Sequence, residues 1–196
     1  MPLAKQQKPE PEIQPLTRTQ ILVTIGVTAL VLWLIAKLWL QLGSVSLLPW
    51  KWNVTTLSLG LGLGIFITFA SSLVYRLWSA YRRSADFYLE FILKPLLWSD
   101  LIWVGLLPGL SEELLFRGVM LPAFGLNFTA VVLSSLCFGI LHLNGSQQWS
   151  YVVWATVVGI ILGYSALVTG NLLVPVVAHI FTNLVSSYFW KLKRFQ

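Results

Sequence analysis

The sequence is short of charge. Only 10% of its 196 residues are Asp, Glu, Lys or Arg, against about 25% in an average soluble domain. With 57% of residues hydrophobic, a chain of this length cannot hide its apolar surface inside one water-soluble globule. The same balance excludes disorder as its general state. Cysteine is nearly absent: Cys137 alone excludes an intrachain disulfide and any CxxC metal pair. Its apolar neighbours predict a small buried thiol. There is no HExxH helix, so the zincin arrangement is excluded. The thirteen basic residues outnumber the seven acids but are scattered, with no Lys/Arg stripe among stacking aromatics. Nucleic acid is therefore not an expected partner. No internal repeat and no soluble domain is found.

What remains is apolar runs of membrane length. Residues 1–20 are polar and carry four prolines, which reads as a disordered tail. Residues 21–95 read as two transmembrane helices, about 21–42 and 54–75, followed by an amphipathic interfacial segment. Residues 96–196 read as the functional core. It holds a third span over 96–121, a fourth over 128–143, a fifth over 149–168 and a sixth over 172–190. The fold class expected is an all-α polytopic bundle of about six spans with a polar interior. Trp50, Trp52, Trp78, Trp98, Trp149 and Trp190 fall near span ends, as an interfacial aromatic belt requires. Six spans put both termini on one side. Lys/Arg clusters at 5–18, 76–83 and 191–194, against Lys51 alone on the other side, make that side the cytoplasm. The Gly60, Gly62 and Gly64 run lies inside an apolar span, where close helix packing is expected rather than a phosphate loop. The NxS/T triplets at Asn53, Asn127 and Asn144 carry no weight.

From Leu101 onward the acids are Glu112 and Glu113, and the one basic residue before Lys191 is Arg117. Both histidines, His142 and His179, lie in the same half. Ionisable groups at membrane depth are costly and mark wet cavities or sites. Glu113 and Arg117 are four apart, in the favourable order for an ion pair on one helix face. Read alone, that pair has a structural role. Glu112 is turned about 100° from Glu113, which leaves it available as a base; a low-dielectric cavity suits a carboxylate to that work. His179 and Asn183 share a face and could donate to a developing oxyanion. Each of these groups also has a bland reading, His142 as an interfacial histidine and the His179–Asn183 pair as interhelical hydrogen-bond glue.

SEELLFRG (Ser111 to Gly118) resembles the EExxxR signature of the CPBP family, the CAAX proteases and bacteriocin-processing proteins, also called Abi or type II CAAX prenyl endopeptidase-like. FGILH (Phe138 to His142) is similar to the family's FxxxH motif, and HIFTN (His179 to Asn183) to its HxxxN motif. The three occur in order across about the last hundred residues. The resemblance implies an all-helical membrane fold and an intramembrane endopeptidase that attacks peptide bonds with a glutamate-activated water. Carried over by position, Glu112 is the base, His142 helps hold the water, and His179 and Asn183 form the oxyanion hole. Glu113, Arg117 and Phe138 support them. Older descriptions of the family invoke zinc. Glu112, His142 and His179 would then be its ligands, but an Asn is a poor fourth, so a cofactor-free, metal-free site is expected. The partners implied are the lipid bilayer and a membrane-associated peptide, possible CAAX-type prenylated chains among them. The chain has fewer spans than prenyl-protease members of the family. Two alternatives stand beside this reading: a non-catalytic membrane scaffold or bacteriocin-immunity protein, and a proton-coupled transporter, disfavoured because no inverted repeat is evident.

Overall fold

The computed structural model describes residues 16–143, 145 and 148–194. The polar tail expected at the N-terminus falls largely outside these residues, as does Asn144. Among the described residues eight α-helices follow one another: α1 Arg18–Leu42, α2 Val54–Leu77, α3 Ser79–Leu93, α4 Leu101–Glu113, α5 Leu121–Ala123, α6 Phe128–Ile140, α7 Trp149–Thr169 and α8 Leu173–Arg194. A 3₁₀ turn, Trp98–Asp100, precedes α4, and a π-helical stretch, Leu114–Met120, joins α4 to α5. No strand occurs among the described residues.

Local chemistry sets the helix ends. The first helix begins at Arg18 rather than at the expected Ile21, because Thr17 and Gln20 form a reciprocal cap: the Gln20 amide donates to the Thr17 hydroxyl oxygen and the Thr17 amide to the Gln20 side chain. Such a box satisfies orphan donors and fixes the start. Asn53 and Asn127, read at first only as NxT triplets, are helix caps. Their side-chain oxygens accept from the Thr56 and Ala130 amides at 2.8 and 2.9 Å. Gly170 closes α7 with φ 57°, a left-handed position that suits glycine.

Among the described residues four helices, α1, α2, α7 and α8, are long and apolar enough to cross a membrane; α3 with Trp98–Ala123 makes a fifth if that bent pair is counted as one span. The six-span expectation differs at two places. The third, expected over 96–121, runs as Trp98–Ala123 and passes as a span only together with Ser79–Leu93, from which it is bent by 108°. The fourth is a helix of 13 residues, about 20 Å long at 1.5 Å per residue, short of the ~30 Å hydrocarbon core. Large apolar side chains point outward on the long helices, including Val23, Val27 and Leu30 at 53–57% exposure. Such a surface fits lipid, and the chain is an integral membrane protein.

The central packing is α2 against α8, α6 against α7, and α4 against both α8 and α1. Glycine makes the first contact possible. A methyl group at Gly60 would meet Val177 Cβ at 2.7 Å and one at Gly64 would meet Phe181 Cδ1 at 2.9 Å, whereas Gly62 faces open space. Two of the three glycines thus bring helices together, as membrane bundles do with small residues. The lone thiol departs from expectation: Cys137 is exposed. Only one side of α6 is covered, through Val131, Ser134, Ser135 and Phe138, and Cys137 lies on the other.

One face of the bundle collects basic residues. Arg18 grips Asp100 with Nε–Oδ2 and Nη2–Oδ1 contacts of 2.7 Å each, and Arg194 pairs with Glu90 at 2.6 Å. Both ends of the described chain therefore meet on this face. The opposite face carries the α1–α2 loop, docked on the α7–α8 turn by Leu172 N to Pro49 O at 2.8 Å and Asn171 Nδ2 to Lys51 O at 2.9 Å. Replacing Asp100 by Asn removes the charge that Arg18 grips. The thermal midpoint in detergent is expected to fall by roughly 2–4 °C, the shift that about 1 kcal/mol produces in a domain of this size.

Candidate active site

Helix α4 brings its acids up from the basic face. Glu112 lies eleven residues beyond Leu101, roughly 17 Å along the axis. Val104, Pro108 and Glu112 line one cavity together, as the helical repeat of about four residues dictates. Directly after Glu113 the helix widens into the π stretch Leu114–Met120, which holds Arg117; such widenings are frequent at functional sites.

Glu113 and Arg117 are both fully buried, with Arg117 Nη1 donating to Glu113 Oε1 at 2.8 Å. The guanidinium also donates from Nη2 to the carbonyl of Gly159 on α7 at 2.9 Å, and it stacks 4.5 Å over the Phe138 ring of α6. A planar cation with a fork of donors suits all three roles at once. The same Glu113 Oε1 accepts from His179 Nδ1 on α8 at 2.8 Å. Four elements are thereby tied to one ion pair.

These contacts orient His179. Its Nδ1 donates to a carboxylate, so its Nε2 points toward Glu112, whose Oε2 is 3.9 Å away. The two neighbouring glutamates thus flank opposite nitrogens of one imidazole. Glu112 Oε2 is buried and has no hydrogen-bond partner among the described residues, in a fold where such atoms are normally paired. Its side chain is 15% exposed, whereas that of Glu113 is 0%. His142, at the end of the short α6, donates from Nδ1 to the Phe138 carbonyl at 2.9 Å. In the neutral ring this leaves Nε2 with its lone pair.

A cavity of about 530 Å³ brings Glu112, His142, His179 and Asn183 to one wall system. Phe138 connects them, its ring centroid 4.7 Å from that of His142 and 5.8 Å from that of His179. Of the seven residues singled out by sequence, five line the cavity: Glu112, Phe138, His142, His179 and Asn183. Glu113 and Arg117 lie behind it. Among the described residues no group of three His, Cys, Asp or Glu side chains is placed to hold a metal ion. Glu112, His142 and His179 share the cavity without forming a ligand set, so no step is routed through zinc.

The sequence reading missed two contributors. The Gly159 carbonyl is backbone, and no residue pattern announces it. Tyr151, stacked 4.6 Å from Tyr88 and with its ring tilted 6.0 Å from that of His142, lies two residues into α7 and reads in sequence as one more interfacial aromatic. Gly159 offers a direct check. A methyl there would meet Ser135 Cβ at 3.0 Å, Arg117 Nη2 at 3.2 Å and Phe138 Cδ1 at 3.2 Å. Gly159→Ala is expected to destabilise the protein by about 1–3 kcal/mol, as overpacking does, seen as a lowered unfolding midpoint.

Fold and site together define a class: an all-helical membrane protein with paired carboxylates, two histidines and an asparagine around an internal cavity. Residues 94–185 match the family described as type II CAAX prenyl endopeptidase Rce1-like. Through this segment, just under half of its length, the chain is similar to the CPBP family. It is similar to the uncharacterized protein YpbD of Bacillus subtilis, 38% identical over 85 residues that cover 43% of this chain and 42% of that protein. It is also similar to CAAX prenyl protease 2 of Arabidopsis thaliana, 34% identical over 94 residues, covering 37% and 30% respectively. The matches therefore span less than half the length of either curated relative. No solved structure matches the chain.

Proposed function

We propose that this protein is an intramembrane endopeptidase that hydrolyses peptide bonds in membrane-associated chains, CAAX-type prenylated chains among them, by a glutamate-activated water. The observation that carries the reading is the division of labour between adjacent glutamates. Glu113 commits its Oε1 to Arg117 and His179 and stays behind the wall, its Oε2 unpaired, while Glu112 lines the cavity and carries an unpaired Oε2 there.

In this mechanism Glu112 takes a proton from water as its oxygen attacks the scissile carbonyl carbon, a role that needs a positioned base. The bare Nε2 of His142 accepts the water's second hydrogen and fixes its direction. The carbonyl π electrons move onto oxygen, and the Asn183 amide donates to the oxyanion. His179 joins as a donor through Nε2 in its imidazolium form, because its Nδ1–H is already given to Glu113. Collapse of the tetrahedral adduct breaks the C–N bond, and the proton held by Glu112 passes to the leaving amine. A new carboxyl and a new amino terminus result. The basic face is the expected cytoplasmic side, and a chain would enter from there.

The test compares wild type with Glu112→Gln, expressed equally in host membranes and analysed by terminal-directed mass spectrometry. New termini seen only with wild type support the enzyme and identify substrates. Matching sets of termini overturn it and favour a scaffold.

A further inference from the structure

Tyr151 is fixed from several sides. Its ring stacks against two rings of α3, Tyr81 at 6.0 Å and Tyr88 at 4.6 Å. The residue before it, Ser150, shares a buried hydrogen bond of 2.8 Å with the Ser84 hydroxyl of the same helix. On the α6 side the ring borders His142. A phenol held in this way has one group left to use, its hydroxyl. Tyr88 and Tyr151 both line the cavity, and among the described residues neither hydroxyl has a hydrogen-bond partner. Both lie within electrostatic reach of the Glu112 carboxylate. Of the two, Tyr151 is the one whose ring also borders that of His142.

The chemistry of water gives that hydroxyl a use. A water molecule has two hydrogens and two lone pairs. When Glu112 and the bare Nε2 of His142 each accept one hydrogen, both lone pairs stay free. The water then pivots about the line between its two acceptors and presents either lone pair to the carbonyl. A single donor on one lone pair stops the pivot and aims the other. Glu112 is an acceptor, and so is His142 Nε2 in the neutral ring. The donor must therefore come from a third group. Other hydroxyls of the cavity wall are spent on backbone: Thr68 and Thr182 donate to the Gly64 carbonyl at 2.8 and 3.3 Å, and Ser72 to that of Thr68 at 3.0 Å. A phenol ordinarily titrates near pH 10, so at neutral pH it is a donor that keeps its proton.

We propose that Tyr151 is a further catalytic residue, whose hydroxyl donates a hydrogen bond to the attacking water and turns its free lone pair onto the scissile carbonyl. The direction of attack rests on the endopeptidase reading; the hydrogen bond is a property of the site and is measured without cleavage. No proton leaves Tyr151. The water's proton goes to Glu112, and the new C–O bond leaves the former water oxygen as a hydroxyl that still accepts from the phenol. The stack with Tyr81 and Tyr88 then has a purpose, because aim depends on a ring that does not turn.

The experiment makes Tyr151→Phe, Tyr88→Phe and Tyr81→Phe in the full chain. Each keeps a ring and loses one hydroxyl, so stacking survives and the thermal midpoint should stay within about 2 °C of wild type. With a prenylated peptide in liposomes, kcat of Tyr151→Phe is expected to fall about ten- to a hundredfold, the scale of a misdirected reactant, while KM barely moves. Tyr81→Phe should cleave as wild type does. A crystal structure of wild type at a resolution that shows ordered water supplies the second readout. One water is expected within about 2.6–3.2 Å of the Tyr151 hydroxyl, the Glu112 carboxylate and His142 Nε2 together. A water held by Glu112 and His142 out of reach of Tyr151, or no water there, overturns the proposal. So does an unchanged kcat in Tyr151→Phe, a loss shared by Tyr81→Phe or confined to Tyr88→Phe, or a loss that follows a lowered midpoint. The three-point water in a protein that cleaves nothing defeats the endopeptidase reading alone; wild-type cleavage matched by Tyr151→Phe defeats this one alone.

Discussion

Glu112→Gln is expected to lower the rate of peptide cleavage by 10²–10⁴-fold, the range of a positioned general base, with little change in peptide binding. The isosteric amide keeps the shape of the side chain and removes only its basicity. Stability should be unchanged or slightly raised, because a buried oxygen without a hydrogen-bond partner is replaced by a neutral group. His142→Ala should cost activity less, since it orients the water without taking its proton. The double variant should be little worse than Glu112→Gln alone, because residues acting on one water are not additive. Rates are read from a prenylated peptide with purified protein in liposomes, and folding from the thermal midpoint. Near-normal cleavage by Glu112→Gln in folded protein would remove the proposed base.

Arg117→Leu is expected to have the largest effect on stability, about 3–5 kcal/mol, because it strands the buried Glu113 charge. It also removes the contacts to the Gly159 carbonyl and the Phe138 ring. The informative companion is the double variant Glu113→Leu/Arg117→Leu. Replacing both ends of a buried pair by apolar groups is often nearly neutral, so much of the stability should return. Activity should not return, because His179 Nδ1 would have lost the acceptor that orients its ring. Stability and activity, lost together in the single variant, thus separate in the double. Recovery of both would make the pair a purely structural element with no hold on the site.

Much of this site was legible because helical spacing is a local property. Four residues between Glu113 and Arg117, and four between His179 and Asn183, predict shared faces whatever surrounds them. The partition of the two glutamates also follows from the turn of about 100° between neighbours. That both flank the same imidazole does not follow, since it depends on how α4 meets α8. The glycines of α2 foretold close packing, yet not that Gly62 would face outward. Cys137 was misjudged because hydropathy scores lipid-facing and core-facing residues alike. Hydropathy also merged residues 96–121 into one run. It does not register the π stretch around Arg117. Nor does it see that α6 stops short, which leaves His142 at the cavity rather than inside a helix.

The central claim is that Glu112 drives water onto a peptide carbonyl in this cavity. The most direct measurement is cleavage of a prenylated peptide by purified protein in ¹⁸O-enriched water, wild type against Glu112→Gln, with the product termini weighed by mass spectrometry. The account predicts one solvent oxygen in the new carboxyl terminus formed by wild type, and almost no such product from the variant. Equal amounts of labelled product from both proteins would contradict it.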